Sequence, residues 1–307
     1  MTKLGAAITR PRVADLSARA RIVHVLNPAW LDGLSLGDAV SASPVDGGYA
    51  SKTYRVSTTL GRSAIVKTHD DVPVDLYALE ADGLEALGVP GAFVVPEVLR
   101  VTPTFIVLSD LGSSSLPSDS DDFWRDAGRR LAVQHQQTAD KFGYHLDNYL
   151  GVLPQRNPWT DDGHAFFAEH RLLRYLEVPN CYNALSPDDR HRLERLANRL
   201  PDLIPPQPAS LLHGDLWHGN LLPAPALIDP AVHYGWPEAE LATLITYGHL
   251  DDDAFLGAYQ DLHPLAPDWR SRIPLLHLRE QLCVLAHAHA LSSPNTLTEI
   301  HTTLQPF

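Results

Sequence analysis

The stretch that most constrains this chain is Leu211–Pro230, LLHGDLWHGNLLPAPALIDP. The apolar run Ala209-Ser210-Leu211-Leu212 reads as a short buried strand. His213, Asp215 and Asn220 then sit between two leucine pairs, Leu211-Leu212 and Leu221-Leu222. A second apolar segment, Ala226-Leu227-Ile228, delivers Asp229, and Pro230 forbids a helix at once. Two or three short strands therefore hold these four polar side chains at their ends.

Phosphoryl transfer needs that inventory. One carboxylate accepts the proton of an attacking hydroxyl, while an amide oxygen and a second carboxylate hold magnesium against the phosphates. Asp215, with Asn220 five positions on, fits the kinase catalytic-loop pattern H-x-D-x-x-x-x-N, and Asp229 fits the metal-binding aspartate that follows such a loop. An Asp/Asn-rich turn capping its own backbone is the plainer alternative for Asp215 and Asn220 alone. The flanking strands and Asp229 favour the kinase-type site.

The remaining chain supplies partners in a compatible order. Asp46-Gly47-Gly48 precedes Ser51–Val56, an alternating strand pattern. Gly47 and Gly48 suit either a loop that lets backbone N–H groups approach phosphates or a simple hairpin turn. Ser63–Lys67 reads as a strand ending in lysine, and Leu76–Leu87 as a helix containing Glu80. A strand lysine paired to a helix glutamate grips phosphates in kinases. Val94–Leu99 and Thr104–Leu108 read as a further strand pair. They lead into Ser109, Asp110, Leu111 and Gly112, where the backbone of a kinase-like hinge would meet adenine and where an interdomain linker would also lie.

Beyond about residue 120 the apolar spacing becomes helical: Phe123, Ala127, Leu131 and His135; Phe166, His170, Leu173 and Leu176; Leu193, Leu196 and Leu200. Ser186-Pro187-Asp188-Asp189 marks a helix start, and helices are expected over Glu238–Tyr247, Asp252–Leu262 and Ile273–Leu291. The expectation is an α+β, two-lobed chain: an N-terminal helical extension over 1–37, a β-rich lobe over 38–110 with one main helix, and a larger helical lobe over 111–307.

Charge and cysteine content narrow the partners. The 307 residues carry 24 basic and 37 acidic side chains, a formal net charge of −13, which argues against nucleic acid or an anionic membrane as partner. Bound magnesium and one lysine can still set the local field for ATP. Cys181 and Cys283 are too few for a disulfide framework, so a reducing cytoplasm is expected, and no apolar run has transmembrane length. Arg10, Arg12, Arg19 and Arg21 near the start suit an amphipathic helix over Ala14–Leu26 better than a transit peptide. His277, His287 and His289 lack zinc-ligand spacing and are expected to be structural. Asp251–Asp253 reads as a helix N-terminus or a loose cation site, and Asn148 and Gln155 as either substrate or loop residues.

Several stretches together resemble the fructosamine/ketosamine-3-kinase family, within the aminoglycoside phosphotransferase-like branch of the protein kinase fold. HGDLWHGN at His213–Asn220 is similar to its catalytic loop, and Asp229–Ala242, DPAVHYGWPEAELA, to its metal-binding segment and following helix. Phe142–Trp159 followed by Phe166–Leu172 resembles its mid-chain signature. The resemblance implies ATP- and Mg2+-dependent phosphorylation of a sugar hydroxyl on a ketosamine or glycated lysine, in a deglycation role. It implies Asp215 as base, Asn220 and Asp229 as magnesium ligands, and Lys67, oriented by Glu80, on the phosphates. Trp217 suits packing against a sugar ring or burial as a core aromatic. The chain departs from the family pattern at His218, Trp236, Glu240 and Tyr49. His218 and Trp236 are expected near the acceptor pocket, where they bear on substrate choice. A same-fold phosphotransferase acting on an aminoglycoside, choline or another hydroxyl compound is the alternative.

Overall fold

The computed structural model describes residues 27–45, 51–69, 71–112, 120–247, 252–287 and 295–307. Gly47, Gly48, Tyr49, Asp251, His289 and the helix expected over Ala14–Leu26 lie outside the described residues.

The smaller lobe is built from β1 (Ala39–Val45), β2 (Lys52–Thr58), β3 (Ser63–Thr68), α1 (Leu76–Leu87), β4 (Val98–Val101) and β5 (Phe105–Ser109). The sheet runs β1-β2-β3-β5-β4, antiparallel throughout. Strand alternation sends side chains of β5 to both faces. Phe105 and Val107 join Val56, Ala64, Val66, Trp30 and Leu31 on one side; Ile106 and Leu108 meet Leu76, Tyr77 and Leu84 of α1 on the other. Lys67 lies opposite Thr53 and Ile106. It shares the α1 face with Ile65, two residues earlier.

The strand expected from Val94 begins only at Val98, which pairs with Leu108. Pro96 lacks the N–H a ladder needs. Val94 turns instead to the other lobe: its N–H donates to Pro225 O at 3.3 Å and its carbonyl accepts from Leu227 N at 2.8 Å.

The larger lobe opens with α2 (Asp121–His135), β6 (Thr138–Ala139), the β7 (Asn148–Leu150) and β8 (Leu153–Gln155) hairpin, and α3 (Gly163–Phe167). A π-helical turn, Ala168–Leu172, and a 3-10 turn, Leu173–Glu177, lead to α4 (Pro179–Ala184) and α5 (Pro187–Leu203). Ser186 caps α5 through Oγ, which accepts from Asp189 N at 3.0 Å, with Pro187 in the first turn. Then come β9 (Ala209–Leu212), β10 (Leu221–Leu222), β11 (Ala226–Leu227), β12 (His233–Gly235), α6 (Pro237–Tyr247), α7 (Asp252–Gln260), α8 (Trp269–Ala286) and α9 (Thr296–Leu304).

Two clusters hold this lobe. Leu172, Leu193, Leu196, Leu200, Leu278 and Leu282 bury with Ile300 and Leu304 of α9, a helix the sequence reading did not anticipate. Phe123, Trp124 and Leu131 of α2 pack on Phe255 and Tyr259 of α7. That crossing is close: a Cβ on Gly128 would stand 2.3 Å from Phe255 O. Helix α8 starts at Trp269 and not at Ile273, and it tolerates Pro274 in its interior. Its first turns are held to α6 by Arg272, whose guanidinium donates twice to the buried Glu238 carboxylate at 2.7 Å each.

Candidate active site

Strand β9 is buried at every position, and it pairs with β12 on one side and β6 on the other. At its end the chain must turn sharply. Gly214 takes φ +83°, and a Cβ there would stand 2.0 Å from Ala231 O, so only glycine fits this crossing of the two polar loops. Asp215 follows, and the 3-10 turn His218–Asn220 then leads into β10.

The loop is held from below by a buried carboxylate. Glu240 of α6 accepts from His213 N at 3.1 Å, from Gly214 N at 2.7 Å and from His135 Nε2 at 3.0 Å. Burial alone would raise its pKa; the His135 bond, the neighbouring imidazoles and the Gly214 N–H more than offset that and lower it. His213 links the loop to the next one: Asp215 N donates to its Nδ1 at 3.3 Å, and its Nε2 donates to Ile228 O at 2.9 Å. Burial lowers its pKa, consistent with the neutral ring these two bonds require.

Asp215 and Asn220 close on each other. Asn220 Nδ2 donates to Asp215 O at 2.8 Å and to Asp215 Oδ2 at 3.1 Å. The Asp215 carboxyl is pushed well above the usual carboxylate range, first by burial and then by the charge of Glu280; Arg279 and the Asn220 bond act in the opposite direction. Asp229 adopts φ +60°, left-handed for a non-glycine residue. Such a conformation costs on the order of 1 kcal/mol or more and persists only where its surroundings impose it. Ile228 N donates to Asn220 O at 3.2 Å and Ala231 N to His213 O at 2.8 Å, pinning both flanks.

From the other lobe, Lys67 donates to Glu80 Oε1 at 2.5 Å and also to Asp229 Oδ1. Lys67 is only 7% exposed, and its ammonium gives two of its three N–H donors to this carboxylate pair across the interlobe cleft. Lys67, Glu80, Asp215, Asn220 and Asp229 all line one cavity, together with Ser51, Tyr149 and Trp217. A second chamber opens on the far side of Lys67 between Val45, Ile65 and Leu108 above and Leu222 and Ile228 below. This slot, apolar at Val45, Ile65, Leu108, Leu222 and Ile228, reaches Ser109, Asp110 and Leu111. Asp110 is structural in its side chain: Arg55 donates to it at 2.7 and 3.1 Å, and Gly112 N at 3.0 Å. Ser109 N donates to Glu97 O at 2.9 Å.

The residues expected beside the acceptor divide. Trp217 borders both the cleft and an adjoining chamber, its ring lying over Gly219. His218 lines that chamber and bonds the Tyr247 carbonyl through Nδ1. Trp236 does not reach the cleft, contrary to expectation. It follows β12 and is 2% exposed, packed in the core with ring centroids 5.1 Å from Phe167, 5.1 Å from His164 and 6.3 Å from Phe142.

The mid-chain signature organises loops. Asn148 Nδ2 donates to Val232 O at 2.8 Å, and Gln155 Nε2 to Asn148 Oδ1 at 3.0 Å and Ala231 O at 3.3 Å. Arg279 of α8 completes the network, donating to Gln155 Oε1 at 3.1 Å, to Gly214 O at 2.7 Å and to Glu280. Sequence reasoning missed Arg279 and Glu280. Their signal was an adjacent charged pair set between Leu278 and Leu282 on a helix, where burial demands partners. His277 is buried at 3% exposure against Tyr247, and burial lowers its pKa to about 4. Among the described residues no group of three or more His, Cys, Asp or Glu side chains forms a metal cage. Nor is any helix among them long and apolar enough to cross a membrane.

This geometry agrees with what the chain is similar to. The fructosamine kinase family model matches residues 34–302. The probable ketoamine kinase of Enterococcus faecium is 35% identical over 242 residues, 76% of this chain and 85% of that protein. The chloroplastic protein-ribulosamine 3-kinase of Oryza sativa subsp. indica is 30% identical over 253 residues, 78% and 72% of the two chains. The crystal structure of a fructosamine-3-kinase-like protein from Thermobifida fusca superposes with a TM-score of 0.81 at 30% identity, covering 91% of this chain and 98% of that one. The aminoglycoside phosphotransferase APH(4)-Ia, solved with ADP and hygromycin B, shares the fold alone, with a TM-score of 0.58 at 14% identity over 88% and 94% of the chains. A β-sheet lobe over a helical lobe, joined across a Lys–Glu–Asp cleft, is thus the protein kinase-like phosphotransferase architecture, and the chain belongs to the fructosamine kinase family.

Proposed function

We propose that this chain is an ATP-dependent, magnesium-requiring kinase that phosphorylates a sugar hydroxyl of a ketosamine. The acceptor is a fructosamine or ribulosamine, free or on a glycated lysine, and the role is deglycation repair in the cytoplasm. The observation that carries the reading is the convergence of Lys67 from one lobe with Asp215, Asn220 and Asp229 from the other on a single cavity.

In this reading Asp215 takes the proton of the attacking hydroxyl as its oxygen bonds the γ-phosphorus and ADP departs. Lys67, held by Glu80, neutralises phosphate charge, and the slot reaching Ser109, Asp110 and Leu111 receives adenine. Gly47 and Gly48 would cover the phosphates. The Asn220 amide oxygen and the Asp229 carboxylate are hard oxygen donors that suit magnesium, which coordinates one or two protein oxygens plus phosphate oxygens. When bound, the cation supplies charge neutralisation and phosphate orientation. Trp217 offers a flat face to the sugar ring beside Asp215, and His218 borders the same space.

Purified protein with ATP and magnesium should phosphorylate fructosamines and ribulosamines, with phosphorus NMR locating the new ester. Turnover confined to aminoglycosides or choline would transfer the chain to the rival acceptor class. No ATP-dependent turnover of any hydroxyl acceptor would refute the phosphotransferase assignment of the cleft.

A further inference from the structure

Beside Asp215, and continuous with the cleft through Leu150, Gly151 and Trp217, lies the adjoining chamber, walled by α6, α8 and the start of α9. Leu150, Trp217, Tyr247, Cys283 and Val284 make its surface largely apolar. Among the polar groups that interrupt it, besides Asp215, His218, Thr243 and Thr296, two stand out. Glu280 reaches it with a carboxylate that is 9% exposed and also pairs with Arg279. His287 donates through Nδ1 to Cys283 O at 2.9 Å, and its Nε2 is buried with no hydrogen-bond partner among the described residues. That nitrogen sits where Gly151, at the tip of the β7–β8 hairpin, leaves room: a Cβ on Gly151 would stand 2.8 Å from it. None of the described residues lining the chamber is Lys or Arg, whereas Asp215 and Glu280 are both acidic.

We infer that this chamber binds the nitrogen side of the acceptor, and that it selects ketosamines whose amine carries an uncharged apolar substituent. The inference rests on the ketosamine reading above and adds the class of amine. A ketosamine nitrogen is a protonated secondary amine with two N–H donors next to the sugar. Glu280 is the anion that meets such a charge, and His287 Nε2 is the acceptor left for a donor on the same ligand. Beyond them the wall of Leu150, Tyr247 and Val284 gains by excluding water from alkyl or aryl groups, roughly fourfold in affinity per buried methylene. A carboxylate on that substituent would be desolvated in a chamber whose described lining is acidic and whose nearest guanidinium, Arg279, is already paired with Glu280, which burial makes costly. Ketosamines derived from alkylamines are therefore favoured over those derived from amino acids.

The test compares kcat/KM for N-methyl-, N-butyl- and N-(3-carboxypropyl)-fructosamine, the last two differing by a carboxylate in place of a methyl group. Wild-type enzyme should prefer the butyl compound at least tenfold over methyl and at least a hundredfold over carboxypropyl. Val284→Lys should move the butyl-to-carboxypropyl ratio at least tenfold toward the carboxylate, with the thermal midpoint recording that the variant is folded. If that variant does not fold, the wild-type ratios decide alone. Butyl and carboxypropyl compounds used within threefold of each other by the wild type, or a ratio unmoved in folded Val284→Lys, would overturn the chamber's role while leaving the kinase reading intact. No turnover of any of the three, with ATP consumed on another acceptor, would remove the ketosamine reading and this inference with it.

Discussion

Replacing Glu240 tests whether one buried carboxylate sets the Asp215 loop. It is 4% exposed and accepts from three donors, His213 N, Gly214 N and His135 Nε2. In Glu240→Ala all three lose their acceptor inside the protein. An unsatisfied buried donor costs roughly 1–3 kcal/mol. Water admitted to the space left by the side chain recovers part of that, so a net loss of about 4 kcal/mol is expected on the same scale. Glu240→Gln keeps the volume and one acceptor oxygen but sets an amide NH2 against a donor, so about 2 kcal/mol is expected by the same reasoning. The kinetic effect should exceed the global one, because the two backbone bonds fall on the residues just before Asp215, and a displacement of about 1 Å in a reacting group can cost on the order of a hundredfold in rate. Denaturant unfolding gives the stability, and kcat at a temperature where the variant is fully folded gives the positioning effect. Glu240→Gln within about 0.5 kcal/mol of wild type, the scatter expected of an ordinary surface change, and with kcat changed less than twofold, would refute the argument.

Asp215→Asn should abolish transfer while nucleotide affinity by calorimetry changes little; wild-type turnover in that variant would rule out Asp215 as base. Asn220→Ala and Asp229→Ala should each raise the magnesium concentration needed for half-maximal rate or end activity, and an unchanged magnesium titration would count against both ligand roles. Arg272→Leu should destabilise the fold by about 3–5 kcal/mol in urea unfolding, because Glu238 is left as a buried unpaired charge; a loss below about 1 kcal/mol would mean the pair is dispensable. At acid pH, burial works to raise the Asp110 carboxyl, but bonds from Arg55, Ser63 and the Gly112 N–H together hold it below the usual range. A depressed folded-state pKa contributes stability that is complete above the unfolded value of about 3.9 and is lost as pH falls through the folded one. Asp110→Asn should therefore flatten the acid limb of a stability-versus-pH curve below about pH 4, and an unaltered limb would contradict that assignment.

Much of the site was legible in the linear chain because its chemistry is local. Asp215 and Asn220 belong to one turn, and the short apolar strands that carry them and Asp229 announce themselves by composition and by Pro230. The ranges of α1 and α6 and the capped start of α5 follow from periodicity and capping for the same reason. The pairing of Lys67 with Glu80 was expected from motif order; that Asp229 joins them is a contact across 162 residues.

What the sequence by itself determined was the inventory: a carboxylate, an amide and a second carboxylate on one segment, with a lysine and a glutamate upstream in fitting order. Only the tertiary structure decided which further groups stand around them. Glu240, Arg279 and Glu280 reach the loop from α6 and α8, Gln155 turned out to brace two backbones, and Trp236 went to the core despite lying seven residues after Asp229. The reason is physical. Local pattern encodes turns and faces, but burial and the pairing of buried charges depend on which distant surfaces pack together, and no spacing along a chain records that.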